Sequence, residues 1–324
     1  MNIDRGKESF TEEEIALVRQ QLWDHKTTES LSWTDLERLI GEVAGTTLSA
    51  FANGTYNGDN QKVAWKVNRF FVADETRRAQ TLVMPITPGF RQTRTARQMT
   101  AQLRWAHEGE MAAVVGDPGL GKTATFDQYC AITPNAFKAT MTPATRAVGP
   151  MLAELARVSG RMVAKSANAN ALFQELVIRL TDIRALLIID EVQHLSDVAL
   201  DQVRAIHDRT GCGVVLGGNR TVLTRIQAGA RHIELAQIYS RVSWPQTYLK
   251  PFPEDVEILC DAWDVPRGNQ REFLAKVASL PGALRSLTQT LKMATLAARS
   301  TDEERTLGHL KTAWTQLSRQ SLAA

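Results

Sequence analysis

One stretch of the chain limits its fold more than any other. Gly116-Asp117-Pro118-Gly119-Leu120-Gly121-Lys122-Thr123 fits the pattern G-x-x-x-x-G-K-[ST] and follows the apolar run 111–115. That is the context required by a phosphate-binding loop between a strand and a helix. Glycines let the backbone N–H groups turn inward around phosphate oxygens. Lys122 then reaches the β- and γ-phosphates of a nucleotide, and the Thr123 hydroxyl holds Mg2+. The helix that begins near Thr123, with Ala124 in its first turn, points its positive end at the anion. A Gly-rich turn formed by chance is the competing explanation, and the strand pattern before it speaks against that.

Downstream the chain keeps alternating. β-rich runs at 111–115, 137–141, 186–189, 214–216 and 247–249 are separated by helical stretches. This predicts βαβ units, a parallel sheet and an α/β fold. The run 186–189 ends in Asp190-Glu191, and a buried strand that ends in two carboxylates needs a cation. Asp190 is expected to take Mg2+ through water, and Glu191 to orient and polarise an attacking water. The run 214–216 leads through Gly217-Gly218 to Asn219, whose amide can hydrogen-bond a γ-phosphate or the lytic water. An Asn in a tight turn is the alternative. After Pro251 and Pro253 the β signals stop, and 254–264, 270–279, 283–299 and 302–318 are predicted as helices.

Before the sheet the texture differs. Residues 10–75 are helical in pattern, opening on a cap-like Thr11 and an acidic first turn. Ser32 to Gly41 predicts a capped amphipathic helix, and a second short helix follows from Thr46. The pair resembles the helix-turn-helix of the phage-repressor class, with Thr46, Thr47 and Ser49 at the start of the DNA-facing helix and one extra residue in the turn. A small helical bundle used for protein contacts is the alternative. Pro85 and Pro88-Gly89 mark 76–95 as a linker. The predicted divisions are 1–75, the linker 76–95, a sheet-bearing core 96–250 and a helical tail 251–324.

Charge narrows the partners. With 38 Lys+Arg against 35 Asp+Glu the formal net charge is +3, so any affinity for nucleic acid must come from local patches. Six arginines and no acidic residue occur from Arg77 to Arg104 (Arg77, Arg78, Arg91, Arg94, Arg97, Arg104). Arg146, Arg161 and Lys165 flank the segment after the second strand, and Arg285, Lys292 and Arg299 lie along a tail helix. Each cluster is also readable as a solvated face. Cys130, Cys212 and Cys260 are far apart and form no C-x-x-C, which argues against disulfides and zinc and fits a reducing cytosol. No apolar h-region follows Met1, and no apolar run approaches about 18 residues, so neither a signal peptide nor a membrane span is expected.

The order of strand ends, followed by a helical tail, resembles the AAA+ ATPases. That resemblance implies ATP and Mg2+ as cofactors and a C-terminal helical lid. It also implies a sensor role for Asn219, a second sensor at Arg285 in Gly282-Ala-Leu-Arg285, and an arginine finger in trans at Arg241, with Arg225 and Arg231 as rivals. From about residue 30 to 318 the chain is similar to one branch of that family, the B proteins of transposing phages of the Mu type. The likeness rests on Thr47-Leu-Ser-Ala-Phe51, Tyr56-Asn-Gly-Asp-Asn60, the phosphate loop, Asp190-Glu191 with His194-Leu195 after it, Gly218-Asn219, Ser240-Arg241 and Pro281-Gly-Ala-Leu-Arg285. It implies an ATPase that forms a homo-oligomeric helical filament on double-stranded DNA, largely without regard to sequence. Such a protein delivers target DNA to a DDE transposase, in the cytoplasm of a bacterial host. Rival readings are a helicase loader or replication initiator, and a nucleotide-sensing DNA-binding regulator.

Overall fold

The computed structural model describes residues 9–160, 168–222, 224, 237–238 and 240–318, with backbone alone over 76–83. The chain divides into two units, Met1–Pro85 and Ile86–Ala324.

In the first unit, helix starts are set by side-chain caps. α1 (Glu12–Thr28) opens where the Thr11 hydroxyl accepts the Glu14 N–H and the Glu14 carboxylate accepts the Thr11 N–H at 2.8 Å, satisfying two donors that a helix start leaves bare. Ser32 and Asp35 repeat the device for α2 (Trp33–Ile40), which stops at Gly41 with φ +78°. α3 (Gly45–Ala52) has no side-chain cap from Ala44. Instead Glu37 of α2 accepts the Gly45 N–H at 2.8 Å. A Cβ on Gly45 would lie 2.8 Å from the Trp33 carbonyl oxygen, so α2 and α3 meet here because this residue has no side chain. Ile15, Val18, Leu22, Leu36, Leu48 and Phe51 pack with Val63 and Val67 of α4 (Asn60–Val83) into one apolar cluster. The stretch 76–95, expected as linker, is helical as far as Val83; the next helix begins at Arg94, so the non-helical part is 84–93.

The second unit is built on a five-stranded sheet in the order β2-β3-β4-β1-β5. Its strands are β1 (Met111–Gly116), β2 (Ala136–Thr140), β3 (Leu186–Asp190), β4 (Gly213–Gly218) and β5 (Val242–Tyr248), and every pairing is parallel. β1, β3 and β4 are buried along their whole length, as central strands covered on both faces must be. Alternation of side chains splits them between two cores. Met111, Ala113, Val115, Leu187, Ile189 and Val214 face α7 (Val148–Val158), α8 (Ala169–Leu180) and α9 (Asp197–Thr210). Ala112, Val114, Leu186, Ile188 and Val215 face α5 (Arg94–His107) and α6 (Lys122–Ile132). β5 closes the sheet on one side, carries Pro245 and pairs with β1 through a register shift at Met111/Ala112.

Four helices follow, α10 (Pro253–Ala262), α11 (Asn269–Ala278), α12 (Ala283–Ser300) and α13 (Leu307–Ser318), with an apolar cluster of their own. Two joints fix them to the sheet. At the first, fully buried Asp255 accepts the Thr95 N–H at 3.1 Å and the Phe252 N–H at 3.0 Å, so one carboxylate serves the starts of both α5 and α10. At the second, the Arg285 N–H of α12 donates to the Gly119 carbonyl at 3.2 Å. No helix among the described residues is long and apolar enough to cross a membrane.

Candidate nucleotide site

Parallel strands bring their carboxyl ends to one edge, where open α/β sheets bind ligands. The register sets Val115 of β1 beside Gly218 of β4, and Ile189 of β3 beside Leu216. The phosphate loop, Asp190-Glu191 and Asn219 therefore meet across neighbouring strands. Together with α12 and the segment 88–93 they surround a cavity of about 1000 Å³, lined by residues that include Gly116, Pro118, Leu120, Ala124, Glu191, Asn219 and Arg285.

The loop is shaped by glycine where nothing else fits. Gly119 and Gly121 both have φ +87°, a left-handed conformation that costs residues with a Cβ. Gly119 is closed in as well, since a Cβ there would lie 1.9 Å from the Gly282 carbonyl oxygen. Gly121 leads into α6, so the bare N–H groups of that helix face the cavity. Lys122 curls back and donates to the carbonyls of Gly116 at 2.7 Å and Asp117 at 3.0 Å. Burial pulls the Lys122 ammonium down from its ordinary value, opposed by the charges of Asp190, Glu191 and Asp117. A cation short of water beside a ring of N–H donors suits a polyphosphate.

Next to it the Thr123 hydroxyl donates to Asp190 Oδ2 at 2.8 Å, and Asp190, 1% exposed, accepts the Glu191 N–H through Oδ1 at 3.0 Å. One hydroxyl and one carboxylate are hard oxygen donors of the kind Mg2+ takes while keeping waters and phosphate oxygens as its other ligands. No group of three or more His, Cys, Asp or Glu able to hold a metal occurs among the described residues.

Glu191 has φ +57° and opens a short 3-10 turn, Val192–His194. Its carboxylate accepts from the Gln193 side-chain amide. The Asn219 side-chain oxygen is turned to the Thr221 N–H at 3.0 Å, capping the helical turn that follows. Arg241 is not at this cavity. Its guanidinium pairs with Asp208 of α9 at 3.0 Å, and Asp208 also holds Arg204. Arg225 and Arg231, the rival fingers, lie outside the described residues.

The residues expected at DNA fall in both units. Thr46 is exposed on α3, with Thr47 and Ser49 half-buried beside it; Arg146 is exposed at the end of the turn Pro143–Thr145; Arg161 and Lys165 lie outside the described residues. Part of the basic run is spoken for. Arg94 pairs with Glu254 at 3.0 Å and stacks 4.2 Å from the Phe252 ring centre, and Arg91 lines the cavity.

Sequence reasoning missed three contributors. Gln193 joins Glu191 to the end of β4. Arg220 grips Asp117 of the phosphate loop, with Nε 2.6 Å from Oδ1, and that hydrogen bond holds the Asp117 carboxyl below its usual range. Pro88, Phe90 and Arg91 form a wall of the cavity. Gln193 and Arg220 each stand within two positions of a residue that was identified, and that nearness was the available signal. The wall at 88–90 had none, because only the tertiary fold brings it there.

Known proteins resemble the chain in two blocks and along most of its length. Residues 106–226 match a family described as "AAA domain", and residues 240–317 match "Mu B transposition protein, C terminal". The chain is 33% identical over 272 residues to the ATP-dependent target DNA activator B of Escherichia phage Mu, covering 84% of this chain and 86% of that one. The figures are the same for the activator B of Escherichia phage D108. The solved structure of the Aeropyrum pernix ORC1 protein in complex with DNA shares the fold at TM-score 0.53 and 18% identity, covering 73% of this chain and 67% of that chain.

Proposed function

The chain belongs to the family of Mu B transposition proteins and contains an AAA domain, and from that premise we propose that it is an ATP- and Mg2+-dependent, DNA-stimulated ATPase. It assembles as a helical filament along double-stranded DNA, selects target DNA with little regard for sequence, delivers it to a DDE transposase and activates strand transfer. It works in the cytoplasm of a bacterial host, and hydrolysis releases it from DNA on cue (target immunity). The observation that carries the reading is the Thr123–Asp190 hydrogen bond of 2.8 Å beside the half-buried Lys122, which supports a Mg2+ site next to a phosphate cradle at the mouth of the sheet.

In this reading Lys122 and the loop N–H groups from Gly116 to Ala124 hold the β- and γ-phosphates. Thr123 and Asp190 would hold Mg2+, which neutralises charge that builds on the phosphates. Glu191 orients water at the γ-phosphate and takes its proton, while Asn219 and Arg285 report the γ-phosphate to the sheet and to a C-terminal lid, 251–324. Arg241 reaches the nucleotide of a neighbouring copy, so hydrolysis waits on assembly. The helices α2 and α3 act as a helix-turn-helix that offers Thr46, Thr47 and Ser49 to DNA, and Arg146, Arg161 and Lys165 add phosphate contacts. Each copy binds weakly and an assembled row binds tightly, which suits a chain of net charge +3.

The test is filter binding of random and of selected DNA, with and without ATP. ATP should raise retention of both alike, and Lys122→Ala should lose the ATP-dependent part, on the order of 100-fold in affinity for nucleotide if two charge-assisted hydrogen bonds are lost. ATP-independent binding confined to one sequence would instead assign a sequence-reading regulator. The replication-initiator reading gains nothing beyond fold from a structure at 18% identity.

A further inference from the structure

The ends of β3 and β4 are joined by a side chain that belongs to neither strand. Gln193, in the turn after β3, donates through Nε2 to the Glu191 carboxylate, and its Oε1 accepts the Asn219 backbone N–H at 3.3 Å. Both ends of the amide are therefore used, one on each strand end. The geometry leaves room for this link and for little else. A Cβ on Gly218 would lie 2.6 Å from Gln193 Oε1, so the residue before Asn219 must lack a side chain for the link to form. Gly218 has no left-handed backbone to explain it, as the glycines with positive φ among the described residues do not include it. Space for Gln193, and for Val222 at 2.7 Å, is what it supplies. Glu191 meanwhile holds φ +57°, a conformation that for a residue with a Cβ persists only where neighbours fix it.

We propose that Gln193 is a positioning residue for hydrolysis: it ties the Glu191 carboxylate to the backbone of Asn219, so that a shift of the β4 end is passed to the water-activating group. This rests on the ATPase reading above and adds the path by which contact with the γ-phosphate aims the carboxylate. An amide suits the task. Its N–H2 is a directional donor to a carboxylate, its oxygen takes a backbone N–H, and it carries no charge that would compete with the cation expected at Asp190.

Two measurements test it. The first is steady-state ATPase with nucleotide affinity read separately by a fluorescent ATP analogue. Gln193→Ala and the volume-matched Gln193→Met should both lose about tenfold in kcat, the loss expected for one hydrogen bond to a charged group, with KM and nucleotide affinity within twofold. A wild-type kcat in Gln193→Met would mean that the residue only fills space, and would overturn the proposal. The second uses nucleotide-free protein with isotope-labelled glutamine side chains. The Gln193 amide resonance should move in Glu191→Ala and in Gly218→Ala, and an unmoved resonance in Glu191→Ala would overturn the link. The two readings fail separately: absence of ATP hydrolysis in the wild-type chain, with DNA present, defeats the ATPase reading, while the amide resonance still reports on the Gln193 link.

Discussion

The mouth of the sheet and the first helical unit solve opposite problems. At the mouth, strand ends, a glycine loop and a helix start converge on one cavity, and few residues can be exchanged without changing its chemistry. In Met1–Pro85 the helices are held by capping pairs and an apolar cluster, and the side chains of α3 that solvent reaches are the small ones of Thr46, Thr47, Ser49 and Ala50. On the proposed function, the contrast follows from what each face would meet. A nucleotide's phosphates are a fixed group of charges that a fixed set of donors must match. A DNA backbone is a long repeating surface, so many weak contacts spread over many copies suffice. On the proposed function, chemistry at the mouth is written in single residues, whereas affinity for DNA is written in numbers of copies.

The sharpest break of this contrast comes from Arg241. Held by Asp208 on the side of the core, it lines no part of the cavity, and its proposed role is between copies. Arg241→Ala should cost on the order of 10³-fold in DNA-stimulated ATPase rate, the range for arginine fingers, while monomer affinity for nucleotide stays unchanged. A wild-type rate in a stopped-assay comparison would move the finger elsewhere. Next in size is Gly45→Val. The added side chain would be driven into the Trp33 carbonyl oxygen and the Glu37 carboxylate, and overpacking of this kind costs roughly 1–3 kcal/mol. The first unit should melt earlier in calorimetry while ATP still raises the melting temperature of the second; joint loss of both transitions would show that the units do not stand alone. The smallest effect should come from replacing Thr46, Thr47 and Ser49 together with alanine. Loss of a few neutral hydrogen bonds on solvated side chains, at the low end of about 0.5 kcal/mol each, should weaken DNA binding by about tenfold, leaving nucleotide affinity and basal hydrolysis alone. A larger loss, restricted to one sequence, would mean that α3 reads bases.

The same contrast explains what could be read from the sequence. β1, β3 and β4 were visible as apolar runs because they are covered on both faces. β5 was expected only at 247–249, yet it begins at Val242, since Ser243, Pro245 and Gln246 on an outer strand break the apolar signal. Residues 76–83 hold no glycine or proline, so α4 runs on until Pro85 forbids it, and the prolines at 85 and 88 misled by marking the end of the helix as a whole linker. Within the site, loop and carboxylate positions were legible because phosphate chemistry dictates residue type at fixed spacing. Gln193 and Arg220 were not, because each works through a neighbour that only the folded strand ends bring within reach.

Pro245 carries one more implication. An outer strand with free backbone donors can recruit a like strand from another molecule, and such a seam grows stronger with every residue added. β5 lacks one of those donors, and its register with β1 is interrupted. The outer edge of β5 is therefore a poorer template for a further strand than an uninterrupted one would be, and side chains rather than backbone dominate what this flank offers.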